Sequence, residues 1–282
     1  MRNQTGVFEG RELTKLFYQC WLPDTEEAKA YIIGLHGWGT HSDRLILPAE
    51  FLTDKGYALY AFDIRGHYRN AGEIPGHIES IDHIQKDIVL FMDVLLEIAN
   101  GRKVFLMGHS FGGLMSLIYA INHPALSGVV VSSPLLGMFM NLSIGKKVIK
   151  SISKNIVKLA PNKILNNIID QNQLTSDLKI LRNHIADKNK IEVISAKSAT
   201  EIDKYTKWAM DNASKLLCPV LLMQAGNDKI VDKGKPRQFF EKVKSKDKTY
   251  KEYDGFLHEL WNEKGRAQVY QDMFIWLEKH LK

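Results

Sequence analysis

Cysteine and proline are scarce in this chain, with two and eight among 282 residues. Cys20 and Cys218 stand 198 positions apart, each inside an apolar, strand-like run. Two thiols so placed exclude a disulfide framework and a structural zinc site, and both read as buried free cysteines. With only 20 glycines beside the few prolines, collagen-like and low-complexity chains are excluded too. Long apolar runs are also missing. No stretch approaches the roughly 18 uninterrupted apolar residues of a membrane span. The opening MRNQTGVFEGRELTKLF has no apolar segment of the signal-peptide kind. The expectation is a soluble, cytoplasmic protein.

What is present is an ordinary globular composition, 45% apolar and 25% charged, enough to bury a core. At about 150 residues per domain, the length suits two domains or one α/β domain with an insertion. The 38 Lys and Arg exceed the 32 Asp and Glu by six. Residues 138–205 hold 12 of the basic and 6 of the acidic groups, so they carry all +6 and the remainder balances at 26 against 26. A basic footprint for nucleic acid would not be confined to one insert, and no nucleic-acid partner is expected.

Apolar runs recur as AYIIGL at 30–35, YALYAFD at 57–63, VFLM at 104–107, VVVS at 129–132 and VLLM at 220–223. Such runs suit strands of a parallel sheet covered on both faces. Between them, residues 80–99 repeat Ile81, Ile84, Ile88, Phe91, Leu95 and Ile98 at helical spacing, with Gly101 as the stop. Residues 7–21 read as one or two antiparallel edge strands, and 266–281 as a closing amphipathic helix. Strand and helix alternate, so the fold class is α/β. The alternation breaks after Pro134, and about 80 residues pass before the strand at Val220. A structureless loop of that length is uncommon in a compact domain. The expected organisation is therefore a core of residues 1–137 and 206–282 with a helical cap inserted at 138–205.

Gly108-His109-Ser110-Phe111-Gly112 is a G-x-S-x-G between the strand VFLM and a helix-like GGLMSLIYAINH. Small residues there permit a sharp strand-to-helix turn that lifts a serine hydroxyl above the sheet, with the helix N-terminus facing developing negative charge. A serine hydroxyl is a weak nucleophile and needs a base, held in one tautomer by an acid. In chain order the acid follows a later strand: VLLMQAGND puts Asp228 there, ahead of Asp232 and Asp254. After the probable last strand TYKEY comes DGFLHE, which places His258 on a loop, whereas His123, His184 and His280 fall on helices or in the cap. Ser110, Asp228 and His258 form the expected triad, with His109 structural and turned away from the serine. The oxyanion donors are expected to be the backbone N–H of Phe111 and, from the loop His36-Gly37-Trp38-Gly39, that of Trp38.

HGWGTHS, FDIRGH, GHSFGG, SSPLL, AGNDKIV and FLHELWNE, in this order across nearly the whole chain, resemble the monoacylglycerol lipase and lysophospholipase group of serine α/β-hydrolases. The resemblance implies the α/β-hydrolase fold, a mostly parallel central sheet flanked by helices. It also implies an esterase of single-chain lipids, foremost a monoacylglycerol lipase, with the same triad and oxyanion pair and with no metal or organic cofactor. A lysophospholipase or general carboxylesterase is the alternative, and a non-catalytic ligand-binding relative is the alternative of another class. Two departures stand out. Arg65-Gly66-His67 continues as Tyr68-Arg69-Asn70 where the group has glycine and serine, and Ala225 replaces a common glycine before the acid.

In the cap, residues 144–159 read IGKKVIKSISKNIVKL. At 100° per residue the apolar side chains take one arc and Lys146, Lys147, Lys150, Lys154 and Lys158 the opposite one, until Pro161 ends the pattern. Such a helix suits a lid over an acyl pocket or peripheral contact with an anionic lipid surface. Nothing in the sequence fixes an oligomeric state.

Overall fold

The structure, a computed structural model, describes residues 1–138, 160–166 and 169–281. The lysine-faced segment 144–159 lies outside the described residues.

The edge segment and the first four apolar runs become strands: β1 (Arg2–Glu9), β2 (Lys15–Leu22), β3 (Tyr31–Leu35), β4 (Ala58–Phe62), β5 (Val104–His109) and β6 (Val129–Ser132). A short pair follows, β7 (Ile164–Asn166) and β8 (Val193–Ser195), and then β9 (Val220–Ala225) and β10 (Lys248–Tyr253). Eight of these form one sheet in the order β1-β2-β4-β3-β5-β6-β9-β10, while β7 and β8 pair separately and antiparallel. The residues read as one or two edge strands are the antiparallel hairpin β1 and β2, whose second strand also runs antiparallel to β4. From β4 to β10 every pairing is parallel.

The period of two along each strand splits the core into two layers. Ile33, Tyr60, Leu106, Val131 and Leu222 face one layer, and Ile32, Leu59, Met107, Val130 and Leu221 face the other. The first layer is covered by α2 (Ile81–Ala99) and α3 (Phe111–Asn122), with α5 (Ala196–Asn212) and α6 (Gly234–Lys242), which follow the short helix α4 (Leu178–Ala186). The second is covered by α1 (Ile46–Asp54) and α7 (Arg266–Lys279). A fully buried Leu or Ile contributes about 1.5–3 kcal/mol, and strands sealed on both sides supply such residues at every position. Helix α2 starts where Ser80 accepts from Asp82 N and ends at Asn100, which takes the left-handed turn one residue before Gly101.

Connections that leave the C-terminal ends of β3, β5, β9 and β10 all emerge on one edge of the sheet, the usual ligand-binding edge of a parallel α/β sheet. They carry the HGWG loop, Ser110, Asp228 and His258 in turn.

Candidate active site

Ser110 sits between β5 and α3 with φ 54° and ψ −112°, a conformation that costs an L-residue free energy and is held by its surroundings. Its N–H donates to Ser132 O at 2.9 Å, and its carbonyl accepts from Leu114 N and Leu135 N. The turn is possible because its neighbours are bare: a Cβ on Gly108 would lie 2.2 Å from Gly112 O, and one on Gly112 would lie 2.2 Å from Leu35 O. Larger residues at either glycine would push the helix off the strand.

Asp228 is buried and fully engaged. Oδ1 accepts from Ile230 N at 2.9 Å and Val231 N at 3.0 Å, while Oδ2 accepts from Gln224 Nε2 at 3.3 Å. The same Oδ2 lies 2.8 Å from His258 Nδ1, so Nδ1 carries the proton and Nε2 is left as the basic nitrogen. Burial works against the charged carboxyl, but the neighbouring His258 and the two backbone N–H groups outweigh it and hold Asp228 below the usual carboxylate range. The rivals are occupied elsewhere: Asp232 accepts from Gly234 N, and His280 pairs with Asp247.

Ser110 and His258 line one cavity together with Gly37, Trp38, Ile169, Leu174 and Ile191. Gly37 borders the serine, since a Cβ there would stand 3.5 Å from Ser110 Cβ. The first N–H groups of α3, Phe111 among them, have no carbonyl to bond within the helix. Ser110, His258 and the Trp38 loop thus border one cavity, and Asp228 stands behind His258.

One expectation needs revision. His109 does not turn away: its ring lies 4.7 Å from that of His258 and lines the same cavity, with Nδ1 3.1 Å from Ser132 O. Burial chiefly, and the adjacent His258, push its pKa down to about 3, so it stays neutral. The departure at 68–70 also has a structural reason. Arg69 pairs with Asp43 and Asp63, and Asn70 bonds both ways with the Phe17 backbone. The preceding His67 packs 4.8 Å from the Trp38 ring.

Sequence reasoning missed the charged lining. Arg44 and Glu259 both face the cavity. Arg44 Nη2 reaches Asp187 Oδ2 at 3.1 Å, and its buried Nη1 has no partner among the described residues. Glu259 is buried, accepts from Asn262 Nδ2 at 2.8 Å and lies 3.4 Å from His184 Nδ1. Burial opposes its charge, yet its surroundings, His184 and Arg44 foremost, hold it below the usual range. His41 reaches Asp187 at 2.9 Å and Asp43 at 3.2 Å; burial opposes its proton, and the two carboxylates outweigh burial and raise its pKa. Leu174 and Ile191 tie the loops of His258 and Trp38: Glu259 N donates to Leu174 O and Ile191 N to Gly39 O, both at 2.8 Å. The adjacency of Glu259 to His258 was the one available signal. Among the described residues no helix is long and apolar enough to cross a membrane, and no acidic, histidine or cysteine cluster could hold a metal.

A doubly covered parallel sheet with a strained serine elbow and a histidine paired to a buried carboxylate on its C-terminal edge defines a serine ester hydrolase of the α/β-hydrolase fold. The chain belongs to the family described as serine aminopeptidase, S33, whose model matches residues 26–265, and within it to the monoacylglycerol-lipase-like members. Phospholipase YtpA of Bacillus subtilis is 27% identical over 89% of this chain and 96% of its own. An abhydrolase domain-containing protein of Dictyostelium discoideum is 29% identical over 95% of this chain, which spans only 28% of that protein. The crystal structure of Paleococcus ferrophilus monoacylglycerol lipase superposes with a TM-score of 0.82 at 29% identity, covering 95% of this chain and 100% of the other.

Proposed function

We propose that the chain hydrolyses esters of single-chain lipids, monoacylglycerols foremost, through an acyl-enzyme on Ser110. The observation that carries this reading is the 2.8 Å pairing of the buried Asp228 with His258, which shares a cavity with the strained Ser110. Ser110 Oγ attacks the ester carbonyl while His258 Nε2 takes its proton, and Asp228 keeps the imidazole in the tautomer that can do so. The N–H groups of Phe111 and Trp38 hold the oxyanion. Collapse expels the alcohol, which receives the proton from His258. Water, deprotonated by His258, then attacks the acyl-serine and frees the fatty acid. No cofactor enters these steps.

Monoacylglycerol is favoured by the likeness to a monoacylglycerol lipase. A lysophospholipase is the second reading, supported by the phospholipase relative and by Arg44 Nη1 at the cavity, which has no partner among the described residues and would suit a phosphate. We also propose that residues 138–205 form a cap on a core of 1–137 and 206–282, with α5 running across the second boundary. Peripheral contact of its lysine-faced segment with lipid is proposed on sequence spacing alone.

The test is kcat/KM for monoacylglycerols, lysophospholipids, p-nitrophenyl esters and an aminoacyl p-nitroanilide over a range of chain lengths. Monoacylglycerol should lead lysophospholipid by about tenfold, a difference of roughly 1.4 kcal/mol in transition-state binding, with the anilide uncleaved. A lysophospholipid preference would overturn the head-group assignment, and anilide cleavage without esterase activity would overturn the ester reading.

A further inference from the structure

The proposed mechanism needs the Trp38 N–H to point at the oxyanion, and the backbone alone does not require it to. Gly37 O and Trp38 N–H belong to one peptide unit, and in a trans peptide the two point in opposite directions. Whatever holds the carbonyl therefore aims the donor. Three groups hold it: His36 Nδ1 at 2.8 Å, Thr40 Oγ1 at 2.9 Å and Thr40 N at 3.3 Å. Gly37 at the same time borders Ser110. A flip of this one peptide would forfeit three hydrogen bonds and present a carbonyl oxygen to the developing anion.

We propose that His36 is a positioning residue, which with Thr40 locks the Gly37-Trp38 peptide so that Trp38 N–H faces the oxyanion. The inference rests on the reading of Ser110 as nucleophile. His36 is itself pinned: Ile64 N, just beyond β4, donates to its Nε2 at 2.8 Å. A carbonyl can only accept and an amide N–H can only donate, so the ring is the neutral tautomer with its proton on Nδ1. The orienting path runs from the end of β4 through the imidazole to Gly37 O. Burial chiefly, with nearby cationic groups adding to it, pushes the His36 pKa down to about 3. The ring does not gain the second proton that would turn Nε2 against the Ile64 N–H. His67 braces the same assembly, its ring 5.2 Å from that of His36 and 6.2 Å from that of Phe111, the residue of the other donor.

Two substitutions separate aiming from mere packing, because Asn places an amide where Nδ1 was and Gln places one where Nε2 was. His36→Asn can still donate to Gly37 O, whereas His36→Gln keeps an acceptor for Ile64 N and loses the donor. The readouts are kcat, KM, the melting temperature and the affinity of an alkylboronic acid whose adduct on serine places an oxygen in the anion position. Removal of one oxyanion donor costs about 10²–10³ in kcat. His36→Gln should approach 10² in kcat and in boronate affinity with KM unchanged, and His36→Asn should recover at least tenfold of both. If both His36 variants unfold, Thr40→Ala with Thr40→Ser as its rescue gives the same reading through Oγ1, with a loss of about three- to tenfold in kcat for a single neutral hydrogen bond. The inference is overturned if the two His36 variants lose activity equally and in step with melting temperature. It is also overturned if folded His36→Gln or Thr40→Ala binds boronate as the wild type does. Wild-type protein that binds boronate at Ser110 while His36→Gln does so equally well overturns the inference alone. A Ser110→Ala variant that still hydrolyses esters overturns the underlying reading and the inference with it.

Discussion

Ser110→Ala is expected to lower kcat for its best ester by roughly 10⁵- to 10⁶-fold, with His258→Ala close behind, because members of a triad act as a unit. Neither change should unfold the chain, since Ser110 Oγ and His258 Nε2 face a cavity rather than closing the core. Asp228→Asn is the more instructive variant. Oδ1 accepts from two backbone N–H groups, so the amide oxygen of an asparagine would settle there and its NH₂ would face His258 Nδ1. The imidazole would then carry its proton on Nε2 and could accept none from Ser110. A loss near 10⁴ in kcat follows from that wrong tautomer. Steady-state kinetics and circular dichroism check the set, and Ser110→Ala retaining a tenth of wild-type kcat would remove the serine from its role.

The second large effect is on stability in acid. His36 and His67 are buried, and their pKa values are pushed down to about 3, chiefly by burial. In the unfolded chain they titrate near 6.5. The unfolded state thus binds more protons than the native state between these values. Stability is full above about pH 6.5 and falls as pH drops toward 3. At pH 5 each group forfeits about 1.5 pKa units, or roughly 2 kcal/mol, and the pair roughly 4 kcal/mol, against a total near 5–15 kcal/mol for a typical domain. His109, pushed down to about 3 chiefly by burial, adds a loss of the same sign. His41 has the opposite sign: its raised pKa favours folding below the unfolded value and loses that contribution as pH rises through the folded one. It offsets part of the acid loss. Urea midpoints at pH 7.5, 6 and 5 should fall steeply over this window, before the carboxylates with lowered pKa begin to protonate. Midpoints that stay level from pH 7.5 to 5 would contradict the buried neutral pair.

The parts of this molecule legible in its sequence are those where one local constraint dominates. A strand covered on both faces must be apolar at every position, and VVVS and VLLM were therefore readable. The turn at Ser110 needs bare neighbours at 108 and 112, and so left a motif. Asp228 and His258 could be ordered because each follows a strand. The oxyanion support was not legible in the same way. His36 lay inside a quoted motif, but its hold on Gly37 O and its own anchor at Ile64 N, 28 residues on, exist only after β3 and β4 pair. Arg44, His184 and Glu259 likewise come together from distant parts of the chain, 140 positions from Arg44 to His184 and a further 75 from His184 to Glu259. His109 was misjudged for a related reason: the ring that it packs against arrives with His258, from the far end of the chain.

The most direct test of the central claim is covalent. Folded wild-type protein treated with a fluorophosphonate and mapped by peptide mass spectrometry should carry one adduct per chain, on Ser110, and the adduct should be lost in His258→Ala and after denaturation. Labelling at another residue, or undiminished labelling of Ser110 without His258, would contradict the account.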